Sequence, residues 1–358
     1  MEAFSFDPAK EKARLRDFWE RLTGYRPRPS SPDDNILDLA LYIQTILADY
    51  INKKYRAGFL SYAKGKELDI IARDVFGIER LSAVPAVAIL RFYLSQQTTI
   101  PAGTRVATKD LKVVFQTEEA VSGNTVVDVR AYAQTAGQVG NGYLPGEVSV
   151  LLDDIAGVDR VENITVTTGG ADEEDDERLR ERCMLSMERF STAGPKGAYI
   201  FHAKSAHPRI GDVSVFSPQP GQVKVVFLLD DGSIPSQTYI DIVSKYLGDE
   251  KVRPLTDQVV VSAPQVVNTS VSVRVHISDM TLASVIEGSA LKAFNNYLDS
   301  VQRTVGKDLI LSKIHDVCFV RKEVEKVEVL SPAQDVVVNQ EQVVKVTSMS
   351  LEVVKYVG

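Results

Sequence analysis

The chain has 358 residues, 44% of them apolar and 25% charged, with a net charge of −7. This composition excludes a disordered chain, the two cysteines, Cys183 and Cys318, exclude a disulfide framework or a Cys-rich zinc site, and the acidic balance speaks against bulk binding to a phosphate backbone. The longest apolar runs, 84–90 and 223–229, fall far short of the ~20 residues of a membrane span, the N-terminus carries no apolar secretion core, and at ~150 residues per domain the length predicts two to three domains.

Residues 9–22 place Leu15, Phe18, Trp19 and Leu22 at helical spacing before Gly24. The segment RPRPSSPDDN follows, a break whose three prolines are expected to stay outside any helix. From Asn35 to about Tyr55 the chain predicts a helix whose apolar positions, among them Ile36, Leu37, Leu41, Ile43, Leu47, Tyr50 and Ile51, fill an arc of about 220° rather than the narrower stripe of a surface helix. Such a helix needs cover on two sides. It is either an internal core helix of its own domain or a helix clasped between this chain and a partner. Leu68, Ile71, Ala72, Val75 and Phe76 predict a further amphipathic helix stopped by Gly77.

Pro85 marks a change of period. From Ala86 to about Val166 short strands alternate with turn signals, as in Val127, Val129, Ala131 and Ala133, and predict a small antiparallel β domain. After Gly169-Gly170 comes a helix with an acidic first turn, broken at Gly194-Pro195, then a helix over 198–206. Strands over 212–216, 223–229 and 259–261 flank a helix with Tyr239, Ile242, Val243 and Tyr246 on one face and Ser236 as N-cap. The rest repeats the mixture. A strand covers 270–278, one helix carries Leu291, Phe294, Leu298 and Val301, a shorter one carries Leu309, Ile314, Val317 and Cys318, and strands cover 325–329 and 343–353. The expectation is a multidomain α+β chain: an N-terminal helical, bundle-forming region (1–83), a β-rich domain (84–168), and two small α/β sandwich-like domains (169–265 and 266–358) with helices on one face of an antiparallel sheet.

The search for chemistry returns no set. The acids 172–177 lack the alternating spacing of a Ca²⁺ loop and are explained as macrodipole partners of a helix start. Asp230-Asp231-Gly232 reads as a turn. His202 and His207 are five apart, off the i, i+4 spacing of paired ligands, and His276 and His315 stand alone. Gly137, Gly140 and Gly142 do not form a dinucleotide fingerprint and instead suit a tight β connection. Arg26, Arg28, Lys53, Lys54 and Arg56 are dispersed rather than gathered into a nucleic-acid surface. No enzyme activity, metal or cofactor is expected, and neither nucleic acid nor membrane insertion. The valine-rich C-terminal segment, including Val343, Val346 and Val353, is expected to leave a strand edge for a second copy, unless Lys345, Glu352 and Lys355 guard it.

Several segments resemble, in order, the baseplate J-like family of contractile phage tails and related injection machines. They are GKELDIIARDVFGIERLSA, IPAGTRVATKDLKVVFQTEEA, AGQVGNGYLPGEV, VENITVTTGGADEEDDERLRER, STAGPKGAYIFHAKSAHPRIGDVSVFSP and VRPLTDQVVVSAPQVVNTSVSVRV, covering about 60–280. The resemblance implies a structural wedge subunit in the virion's tail baseplate, assembled in the host cytoplasm. It implies pairing with a second copy and a smaller companion wedge protein, contacts to neighbouring wedges, hub and sheath-proximal proteins, and a part in the rearrangement that triggers sheath contraction. The alternatives are the equivalent subunit of a bacterial contractile injection system and a carbohydrate-active tail enzyme, the latter disfavoured by a single tryptophan for sugar stacking.

Overall fold

The computed structural model describes residues 3–190, 196–249 and 257–357. It is mixed α and β, and its contacts divide it into two units, one formed by the chain up to Arg80 with Asp175–Met184, the other by Leu81–Glu174 with the rest.

The first unit holds α1 (Pro8–Thr23), α2 (Pro32–Ala57) and α3 (Gly65–Phe76), joined by the first part of α4 (Asp176–Ser186). Asp7 caps α1 by accepting from the Ala9 and Lys10 amides, and Ser31 caps α2 by accepting from Asp34 N–H. The break between the helices is shorter than the prolines suggest. Pro32 occupies the first turn of α2, where no intrahelical donor is lost. Gly77 ends α3 in the left-handed region at φ 64°, and its N–H closes on Arg73 O. α4 supplies this unit with its buried Leu179 and Cys183, and Arg180 donates to the Leu60 and Ala63 carbonyls at 2.8 and 2.9 Å.

α1 and α2 are held together more by charge than by apolar packing. No residue of α1 is buried. The buried Asp34 takes a two-pronged bond from Arg16 (2.9 and 2.9 Å) and one from Ser30 N–H, and Lys12 bridges Asp34 and Asp38. The Arg16 guanidinium holds the Asp34 carboxyl below the usual carboxylate range. A carboxyl with a depressed folded pKa contributes stability that is complete above its unfolded value and lost as pH falls through the folded one. The expected result is that amide protection in α1, taken relative to the intrinsic exchange rate at each pH, falls as pH drops below about 4, with α3 less affected, and that Asp34→Asn removes this pH dependence. Protection in α1 that is flat with pH in the parent chain would refute the assignment.

The second unit starts with a β-barrel-like sheet. Its strands are β1 (Val87–Leu94), β2 (Thr98–Ile100), β3 (Arg105–Thr108), β4 (Val114–Thr117), β5 (Val121–Gly123), β6 (Val126–Ala133), β7 (Val148–Leu151) and β8 (Val158–Asn163). Six run in the order β7-β3-β4-β6-β1-β8 with every neighbouring pair antiparallel, and β2 pairs β5. Alternate residues point inward, so Leu90, Phe92, Phe115, Val129 and Ala131 fill the interior. The outer strands β7 and β8 are tied by Asn163, whose side chain accepts from Val148 N–H and donates to the Leu144 and Thr165 carbonyls. Gly137, Gly142 and Gly146 in the long connection all adopt positive φ.

Two smaller layers follow. The first comprises α5 (Lys196–Ala206), β9 (Ile210–Gln219), β10 (Gln222–Leu229), α6 (Gln237–Leu247) and β11 (Gln258–Ser262). The second comprises β12 (Gln265–Ile277), α7 (Ala283–Gln302), α8 (Leu311–Cys318), β13 (Val324–Ser331) and β14 (Gln342–Lys355). The break at 194–195 lies outside the described residues. Both sheets have three strands, but they are mixed, not antiparallel as expected. β10 pairs antiparallel with β9 and parallel with β11, and β12 pairs antiparallel with β13 and parallel with β14. The central strand is second in sequence in one sheet and first in the other, so the two are not copies of one topology. Ser236 sits at the α6 N-cap position without a side-chain bond there, and Leu309 precedes α8, bridging to Val336.

The run Val225–Leu229 is apolar at every position because both faces of β10 are covered. Val225, Phe227 and Leu229 pack with α5 and α6, while Val226 and Leu228 meet Val305 and Val343 of the C-terminal layer. Lys224–Glu341 and the Lys345 ammonium, which donates to the Gly232 and Gln302 carbonyls, complete this seam.

Candidate assembly interface

An exposed surface on α2 is the site the fold presents. Ile36, Ile43, Leu47 and Tyr50 are each 54 to 57% exposed, and Ile51 is also exposed. Of the helix only Asp34, Leu37 and Ala48 are buried, so it is not an internal core helix of this chain. Leu37 faces inward and Leu41 is half-buried. Leu39, Tyr42 and Ile46 extend the same exposed surface. Tyr42 lies outside the arc read from sequence, about 40° beyond Ile46 on the helical wheel. A surface of this size on a 26-residue helix, about 39 Å long, is larger than a solvated helix keeps.

At the C-terminal end, β14 forms an outer strand of its sheet, beside β12 alone. Val343 is fully enclosed against Val226, Leu228 and Val305, so its side chain lies in the core rather than on a surface. Val346 and Val353 are half-buried on the α7–α8 core. Lys345, expected as an edge guard, instead turns inward to two carbonyls, and burial pushes its ammonium pKa down.

The groups considered for chemistry have structural employment. Asp172 accepts from Gln138 N–H, Glu174 from Leu81 N–H, Asp175 from Arg178 N–H, and Asp176 pairs with Arg80 at 2.7 Å while accepting from Gly65 N–H. Asp176 and Glu177 lie in the helix's first turn and Asp175 caps its start through Arg178 N–H, whereas Asp172 and Glu174 fasten loops. Asp230 and Asp231 embrace the buried Arg209. His207 is buried, with Nε2 3.1 Å from Gly169 O and Nδ1 accepting from Arg209 N–H. That arrangement makes it a neutral bridge between two chain segments. His202 packs between Phe201 and Tyr246, and His276 lies 3.3 Å from Glu328. Burial pushes the Cys318 thiol up to about 11, leaving it protonated at neutral pH. Among the described residues no three His, Cys, Asp or Glu gather as a metal site, and no helix is long and apolar enough to cross a membrane. Chelator is therefore expected to leave the thermal unfolding curve unchanged; a drop in melting temperature restored by one divalent ion would contradict this.

Residues 89–170 match the model of the baseplate J-like protein barrel domain, and residues 191–263 that of the baseplate J-like central domain. Over these two segments the chain carries domains of the baseplate J-like family. Baseplate protein J of Escherichia phage P2 is 31% identical over 170 residues, covering 47% of this chain and 56% of that protein. The putative baseplate protein gp29 of Haemophilus phage HP1 is 31% identical over 256 residues, covering 66% and 60%. The XkdT protein of the phage-like element PBSX of Bacillus subtilis is 27% identical over 194 residues, covering 54% and 52%. The chain thus spans between half and two thirds of the length of the curated relatives it matches. A chain in the cryo-EM structure of the anti-feeding prophage baseplate aligns over 96% of this chain and 90% of its own with a TM-score of 0.47 and 11% identity, below the level at which a shared fold follows. The β-rich segment read from alternation is the one that matches the barrel model, and its interior is the alternating set of Leu90, Phe92 and Val129.

Proposed function

We propose that the chain is a structural subunit of a phage or prophage tail baseplate, located in the virion's tail. In this reading it serves as a wedge component that meets a smaller companion protein through α2 and a second copy of itself through its C-terminal layer. The observation that carries the reading is the unpartnered apolar surface of α2, in a chain whose relatives are named as baseplate proteins. Burying such a surface against other helices is the ordinary way to complete a bundle. Wedges joined in this way would contact the hub and the sheath-proximal proteins and move with them when the sheath contracts. The acids and histidines engaged in loop and seam contacts support a role without catalysis, against the carbohydrate-active alternative.

The test is to disrupt the gene in its phage or prophage and supply a tagged chain in trans. The expected outcome is that tails purified from the complemented strain carry the tag at the baseplate end, and that no complete tails form without the chain. Complete, infective tails lacking the chain would refute the assignment. Release of reducing sugar from host-surface polysaccharide by the purified chain would favour the enzyme.

A further inference from the structure

The outer edge of β14 is capped over its first half and open over its second. Glu341 O accepts from Gln265 N–H of β12, which sets the alternation for the start of the strand. Outward groups at both ends of that half are taken: Gln342 N–H donates to Asn339 O, Gly306 N–H donates to Gln342 O, and Val346 N–H donates to the Gln302 side chain at 3.0 Å. The register shifts by one residue after Val346, so one extra residue bulges there. Further on, Tyr356 N–H donates inward to Ile277 O. Alternation back from Tyr356 turns the N–H and C=O groups of Met349, Leu351, Val353 and Lys355 away from β12. Among the described residues no other strand neighbours β14. The open segment 347–355 contains no proline and only two charges, Glu352 and Lys355. Glu352 is already engaged with Arg274 at 3.0 Å on the sheet face.

We propose that residues 347–355 of β14 pair antiparallel with the same residues of a second copy of this chain, about a two-fold axis at Leu351, joining the two C-terminal sheets into one. This deepens the proposed assembly with a second copy by giving it a place and a register. The occupant follows from self-complementarity. With the axis at Leu351, Met349 faces the partner's Val353, Thr347 faces the partner's Lys355, and Ser350 faces the partner's Glu352, so no like charges meet. Moving the axis to Glu352 sets two glutamates against each other. Moving it to Ser350 drives the pairing into the stretch where Gln302 already holds Val346 N–H. The axis at Leu351 is the one that uses the whole open edge. It also carries the partner's Tyr356 and Val357, both exposed apolar residues, past Thr347 to a groove of about 470 Å³ beside α7, lined by Asn295, Asp299, Gln302, Val346 and Met349. An isologous contact of this kind closes on itself as a dimer.

Two variants of the full chain test the edge. Met349→Pro removes an outward N–H while leaving the β12 ladder intact, because the donor it deletes points away from β12. By symmetry each dimer loses two hydrogen bonds, so dimer dissociation measured by light scattering should rise about tenfold or more with an unchanged melting profile. Ser350→Cys with Glu352→Cys should yield a disulfide-linked dimer under mild oxidation, whereas Ser350→Cys alone should not; the native Cys183 and Cys318 are buried and do not compete. A parent chain that stays monomeric, a Met349→Pro variant that dimerises like the parent, or a double-cysteine variant that fails to cross-link would each overturn the proposal. The last two results would leave baseplate membership standing, since that is read from tails and not from this edge.

Discussion

Replacing Ile43 and Leu47 together by glutamate is expected to abolish incorporation of the chain into baseplates while leaving it folded. Both side chains are more than half exposed, so in the isolated chain neither change empties a core, and each should alter stability by no more than about 0.5 kcal/mol. In an assembled bundle the same side chains would be buried, each worth about 1.5–3 kcal/mol. Losing both, before counting the cost of burying two carboxylates, weakens association by roughly two to four orders of magnitude. Ile43 and Leu47 are chosen over Leu41 because four residues separate them on one exposed face and Leu41 is already half-covered. The check is the amount of variant recovered in purified tails beside its melting curve. Normal tails containing a folded double variant would remove α2 from the assembly.

Gly170→Ala is expected to be strongly destabilising in the second unit, at about 3 kcal/mol or more. A Cβ at Gly170 would sit 2.4 Å from Gly137 O and 2.9 Å from Asn141 Oδ1, and the first of these is backbone with nowhere to go. The crowding exists because Asn141 clasps Gly170 from both sides, accepting from its N–H at 2.8 Å and donating to its carbonyl at 2.9 Å. The neighbouring Gly169 offers a control. Its φ of +86° costs an alanine about 1–2 kcal/mol, but its Cβ would meet only ordinary contacts at 3.6 and 3.7 Å. Thermal unfolding should therefore rank the parent above Gly169→Ala and that above Gly170→Ala. The reverse order would mean that the loop shifts more easily than this geometry allows.

The helices were legible where the signal is local. The period of Leu68, Ala72 and Phe76 and the stop at Gly77 give α3 to within a few residues, because capping and amphipathicity act over one turn. The barrel strands were legible for the same reason, each alternating between an interior and a solvent side. Partners distant in sequence were not. Asp172 and Glu174 resemble part of a helix start until their donors, Gln138 and Leu81, are known, and Lys345 resembles an edge guard until Gly232 and Gln302 arrive from other parts of the chain. Strand direction was equally hidden, since β11 and β14 carry the same alternation whether they run with or against their neighbours. For the candidate interface, the breadth of the apolar arc on α2 was written in the residues, but which of Leu37 and Leu39 turns inward depends on where α1 lies.

The position of α4 in the chain has a consequence for synthesis. Residues up to Arg80 leave the ribosome first, yet their unit is completed by Leu179, Arg180 and Cys183. At ~5–20 residues per second, the roughly 100 intervening residues take ~5–20 s to appear. The antiparallel sheet of residues 87–163 is local enough to close within that interval. The α2 surface, by contrast, waits on a helix not yet made. An unfinished nascent chain would thus hold a folded barrel and an incomplete helical unit, and a companion protein that requires the finished unit would engage only chains that have passed residue 184.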